Sequence, residues 1–113
     1  MKTALLTIML AASSLLARGE TLDHYVGRLA DAIRKAEGVW TYGVNVHVAN
    51  EREARQVCIN TINNALAVWP KRGCFIDFLA DRYCPAYDKD GNPIDPIGNR
   101  NWKRNVKSFL KKV

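Results

Sequence analysis

Histidine and cysteine are scarce in this chain, and apolar residues never run long enough to cross a bilayer. The only histidines are His24 and His47, and the three cysteines, Cys58, Cys74 and Cys84, include no Cys-x-x-Cys pair. That inventory leaves out a zinc centre of the usual ligand spacing. The apolar run near the start, residues 4–16, has 13 residues without a charge, short of the roughly 20 that a membrane-spanning helix needs. A calcium loop is excluded in the same way. Counted from Asp88, the segment Asp88-Lys89-Asp90-Gly91-Asn92 places Pro93 where an EF-hand needs glycine and Asn99 where it needs glutamate, so it reads as a polar turn. No motif calls for a metal or a cofactor. There is no internal repeat and no low-complexity tract.

What residues 4–16 do suit is the apolar core of a signal peptide. Lys2 supplies a positive start, and Ala17-Arg18-Gly19 places small residues at −3 and −1. Cleavage is expected after Gly19, with Ala17 as the alternative; a buried first helix or an uncleaved anchor is the competing reading. The expected mature chain, residues 20–113, is one domain of 94 residues, exported to the periplasm or secreted. Three cysteines in an exported chain predict one disulfide. If Cys74 and Cys84 share a helix they stand about 15 Å apart, beyond the roughly 7 Å a disulfide permits. Cys58 is therefore expected to pair with Cys74 or with Cys84.

Charge is distributed unevenly. Without Lys2 and Arg18 the chain keeps 15 basic against 11 acidic residues, a net +4. Arg100, Lys103, Arg104, Lys107, Lys111 and Lys112 lie in the last 14 residues, where no acid stands. Such a surface favours polyanions. Export removes nucleic acid and leaves an acidic cell-wall polymer or, through the basic C-terminal helix, peripheral contact with an anionic membrane. A monomer is expected.

Periodicity predicts a mainly α fold. Leu22, Tyr25, Val26, Leu29, Ile33 and Ala36 form one face of a helix capped by Thr21 and stopped by Gly38. Val44, Val46 and Val48 then alternate with Asn45 and His47, which predicts a short β-hairpin after that first mature helix. Asn50, with Glu53 three residues on, opens a second helix that runs to Trp69. A short helix is expected over Phe75–Tyr83, a loop over residues 85–99 with two Pro-Ile pairs, and a final helix from near Asn101 bearing Trp102, Val106, Phe109 and Leu110 on one face.

Glu37 is the candidate catalytic residue. It closes the first helix at the edge of the apolar face, where its charge opposes the helix dipole. With apolar neighbours such as Trp40, its carboxyl should hold its proton to higher pH than a free glutamate does, as a general acid requires. Tyr42, Asn45 and His47 follow closely and are candidates for substrate binding. No second carboxylate is evident: Glu51 and Glu53 read as cap residues, and Asp77 and Asp81 could approach only through the fold.

The stretch Ala32-Ile33-Arg34-Lys35-Ala36-Glu37-Gly38, followed by Tyr42-Gly43-Val44, resembles the catalytic segment of the lysozyme-like superfamily, chiefly its small lytic-transglycosylase-like and phage-type lysozyme domains. The blocks Cys58-Ile59-Asn60-Thr61-Ile62, Phe75-Ile76-Asp77-Phe78-Leu79-Ala80-Asp81-Arg82-Tyr83-Cys84-Pro85 and Asn101-Trp102-Lys103-Arg104-Asn105-Val106 extend it over most of residues 31–110. Transglycosylases carry Glu-Ser where this chain has Glu37-Gly38, and Tyr42-Gly43-Val44 replaces their Gly-Leu-Met-Gln. The resemblance implies a small lysozyme-like domain that cleaves peptidoglycan glycan strands with one glutamate as acid and base. The alternative is a non-catalytic exported protein of the same fold that binds cell-wall glycan or inhibits a partner enzyme.

Overall fold

The computed structural model describes residue 16 and residues 19–112. The signal-peptide reading of residues 1–19 falls almost wholly outside them. Four helices follow in chain order: α1 (Leu22–Glu37), α2 (Glu51–Val68), α3 (Phe75–Tyr83) and α4 (Pro96–Leu110). Among the described residues no helix is long and apolar enough to cross a membrane.

The first helix begins and ends where its sequence says. Thr21 accepts a hydrogen bond from the His24 N–H, and Asp23 sits in the first turn against the dipole's positive end. Gly38 closes the helix at φ 71°, donating its N–H to the Arg34 carbonyl. That left-handed conformation is cheap only for glycine. Tyr25, Val26, Leu29, Ala30, Ala32 and Ile33 are buried, and α1 packs chiefly against α4. Arg28 fastens this contact by donating to the Leu110 carbonyl at 3.0 Å.

In α2, the Asn50 side chain accepts from the Glu53 N–H, and Ala54, Cys58, Ile62 and Ala65 enter the core. Trp69 ends this helix and packs edge-on against Phe75 with ring centroids 5.3 Å apart. The core is one cluster shared by all four helices. Leu29, Ile33, Ile62, Phe75, Leu79 and Val106 are its largest fully buried side chains.

Three expectations are corrected. The β-hairpin expected after the first helix, through Val44, Val46 and Val48, is absent among the described residues: the segment is a run of turns. Tyr42 (φ 58°) and Gly43 (φ 67°) both take left-handed backbone, and the N–H groups of Tyr42 and Val44 bond back to Val39 and Thr41. The valine alternation is real, but a strand needs a partner and none is paired there. The disulfide is also absent: all three cysteines are free thiols. Cys74 and Cys84 cap opposite ends of α3, while Cys58 is buried against the Tyr83 phenol. Burial raises the Cys58 thiol to about 11, which keeps it protonated and unreactive.

Helix α4, finally, starts at Pro96 and not near Asn101. Asp95 is its N-cap and accepts from the Gly98 N–H at 2.9 Å, with Pro96 in the first turn. The Asp-Pro pair is a helix-start signal, although a Pro-rich stretch also reads as loop. The remaining loop carries a single bridge, Tyr87 to Pro93. Replacing Asp95 by Ala should lower stability by about 1 kcal/mol, a fall in Tm of roughly 4–8 °C for a domain of this size. Asp90→Ala, in the exposed turn, should stay within about 0.5 kcal/mol of the parent. Thermal melts of the two variants side by side test the assignment.

Candidate active site

Glu37 is the last residue of α1, and its side chain lies half-buried where three elements meet. From the turn segment, Gly43 comes flush against it. A β-carbon placed on Gly43 would stand 2.2 Å from Glu37 Oε2 and 2.4 Å from its Cδ, so a larger residue could not occupy that place beside the carboxylate. From α4 comes Trp102, buried, whose indole N–H is directed toward the carboxylate. From the end of α3 comes Tyr83, stacked on Trp102 with ring centroids 5.3 Å apart and planes 25° from parallel.

Burial raises the Glu37 carboxyl above its ordinary value of 4.5, and the Trp102 indole N–H offsets part of the rise. No other carboxylate contributes to the shift. The indole N–H nevertheless falls outside hydrogen-bond geometry and keeps no full partner, as does the buried Tyr83 hydroxyl. Buried donors without partners are rare in folded proteins; here two of them stand on the stacked pair next to a half-buried acid.

The turn that carries Gly43 is held by a polar network. Tyr42 is buried, in a conformation that costs a non-glycine residue about 1–2 kcal/mol. Its hydroxyl accepts from Arg55 of α2 at 3.3 Å, and the same guanidinium bonds Asp31 of α1 at 2.5 Å and the Gly27 carbonyl at 3.4 Å. Arg55 therefore ties α1, α2 and the turn together, which fixes Gly43 against Glu37.

Beside this junction an open cleft of about 160 Å³ is lined by Gly43, Val44, Asn45 and Val46 from the turn, Val57 and Thr61 from α2, and Arg82 and Tyr83 from α3. Of the residues expected to bind substrate, Asn45 lines this cleft. Tyr42 does not: it is a buried support, and its role is to hold the turn. His47 is exposed and lies outside the lining. Trp40, expected to shelter Glu37, is itself largely exposed; Trp102 takes that part. The other acids are engaged elsewhere or exposed. Glu51 pairs with Arg34 at 3.4 Å and Asp77 with Lys107 at 2.8 Å. Among the described residues no group of three or more His, Cys, Asp or Glu could hold a metal ion.

Sequence reasoning places Trp102 on the apolar face of the last helix and Tyr83 at the end of the short one, and both pack against the core. Their added role beside Glu37 comes only from the crossing of α1, α3 and α4. Thr61 and Arg82 lie inside the blocks of the resemblance, but nothing in their spacing marks them as residues of a cleft. Comparison with protein-family profiles, with curated proteins and with solved structures finds no match, so the site speaks through its own chemistry.

Two outcomes follow. A carboxyl whose pKa is raised by folding binds its proton more tightly in the native state. Its effect on stability is therefore most favourable below the ordinary value of 4.5 and worsens as pH climbs through the raised native value. Glu37→Gln removes this slope: the melting temperature of the parent should fall relative to the variant between pH 4.5 and neutrality. Gly43→Ala forces a side chain onto left-handed backbone and into the carboxylate. It should cost about 1–2 kcal/mol or more and, by driving Glu37 into water, should flatten the same slope.

Proposed function

We propose that this chain is a small lysozyme-like domain that cleaves peptidoglycan glycan strands, with Glu37 as the single acid and base. The observation that carries the reading is a half-buried carboxyl whose proton is held by its surroundings, pressed between Gly43 and Trp102; Gly43 also lines an open cleft, whose wall Glu37 itself does not join. A general acid must be protonated near working pH yet able to give its proton up, and burial of Glu37 moves it in that direction.

One carboxylate suits a transglycosylase-type reaction better than hydrolysis. Glycosidases that use water or a covalent intermediate ordinarily need a second acid about 5–10 Å away; of the acids weighed for that part, Glu51 is paired with Arg34 and Asp77 with Lys107. In the proposed reaction Glu37 protonates the departing glycosidic oxygen as the bond to the anomeric carbon breaks. The sugar's own 6-hydroxyl then attacks that carbon and returns its proton to Glu37, closing an anhydro ring. Asn45, Thr61 and Arg82 offer hydrogen bonds to a sugar in the cleft, and Tyr83 offers an aromatic face.

One observation favours the second reading, a glycan-binding protein without turnover. The cleft, at about 160 Å³, is smaller than the roughly 300–1,000 Å³ of typical small-molecule sites. The two readings part on one assay. Purified peptidoglycan incubated with the protein should release soluble fragments with anhydro ends, read by mass. Glu37→Gln should reduce release by about 100-fold or more. Binding with no release from either protein would establish the non-catalytic reading, and release that survives the substitution would remove Glu37 from the chemistry.

A further inference from the structure

A second cleft lies at the end of α3, between that helix, the bridged loop and the first turns of α4. Its volume is about 330 Å³, and it is lined by Asp81, Ala86, Tyr87, Pro96, Asn99, Arg100 and Lys103. That size falls within the range of small-molecule sites.

Its acid and its cations share one wall without pairing, whereas ion pairs tie other elements together. Arg34 pairs with Glu51, Arg55 with Asp31 and Lys107 with Asp77. Asp81, Arg100 and Lys103 face one cleft, yet among the described residues no ion pair joins the acid to either cation. The frame around them is fixed. Buried Asn99 donates its side-chain N–H to the Cys84 carbonyl at 2.7 Å, which locks the start of α4 to the end of α3. The loop is tied in by the Ile94 and Asp95 N–H groups, both bonded to the Ala86 carbonyl. Tyr87 is exposed at the cleft, and Ile94 and Ile97, also exposed, flank Pro96 in sequence.

We propose that this cleft binds a short acidic peptide that carries a free ammonium group. Arg100 and Lys103 match its carboxylates, Asp81 matches its ammonium, and the Tyr87 ring supplies an apolar face. Two cations and one anion select a ligand of the opposite balance, which a simple anion does not meet. Peptide stems of a cell-wall glycan have that chemistry. The source of the peptide rests on the function proposed above, whereas the binding itself does not.

The test is an NMR titration of the full chain with the dipeptide of D-glutamate and diaminopimelate. Parallel titrations use its form acetylated on both amines, inorganic phosphate, and a peptide-free N-acetylglucosamine pentamer. The dipeptide should move the backbone signals of Arg100, Lys103 and Tyr87. Arg100→Gln/Lys103→Gln should weaken it by about tenfold or more, the worth of one charge-assisted contact. Asp81→Asn should weaken the dipeptide and leave its acetylated form unaffected. Signals that move elsewhere in the parent chain would overturn the proposal without recourse to any variant, as would displacement of the dipeptide by an equal concentration of phosphate. The pentamer separates the two sites: if it binds and is cleaved while the dipeptide does not bind, this proposal fails and the Glu37 reading stands. Dipeptide binding with no effect on glycan gives the reverse.

Discussion

The site depends on one uncomfortable contact: a glutamate carboxyl held out of water at the end of α1 by the backbone of Gly43 and the indole of Trp102. A carboxylate at a helix C-terminus is already opposed by the dipole. Partial burial adds to that cost, and the only hydrogen-bond donor directed at it is poorly aligned. Folding that surrenders stability at one point must recover it nearby. It does so through the α1–α4 packing, the Trp102–Tyr83 stack and the Arg55 network beneath the turn.

That arrangement links local backbone to chemistry. Gly43 can lie on Glu37 because it has no side chain and tolerates a positive φ. Tyr42 tolerates the same conformation because its ring is buried and its hydroxyl is held by Arg55. A buried residue thereby sets the position of Gly43 and, through it, of the Glu37 carboxyl.

Much of the helical frame was legible in the sequence. Thr21, Gly38 and Asn50 act through local hydrogen bonds, so they mark α1 and the start of α2 wherever the chain later packs. Glu37 was legible for the same reason, since a helix terminus and an apolar edge are local facts. The hairpin was misread because alternation specifies two faces but not a partner, and Tyr42 and Gly43 turn the chain before a ladder can form. The start of α4 was misread because proline ends one helix and begins another, and only the Asp95 cap decides which. The disulfide expectation rested on compartment: helix geometry holds Cys74 and Cys84 apart at the two ends of α3 as expected, but Cys58 is buried against the Tyr83 phenol and pairs with neither. Trp102 and Tyr83 were seen as core but not as neighbours of Glu37, because a crossing of helices distant in sequence leaves no local trace.

Direct titration of the Glu37 side-chain carboxyl by carbon-detected NMR tests the account at its root. A midpoint clearly above 4.5 would show a carboxyl sheltered by the α1–α4 junction. A midpoint at or below that value would mean that the group is an ordinary surface acid, and the catalytic proposal would fall with it.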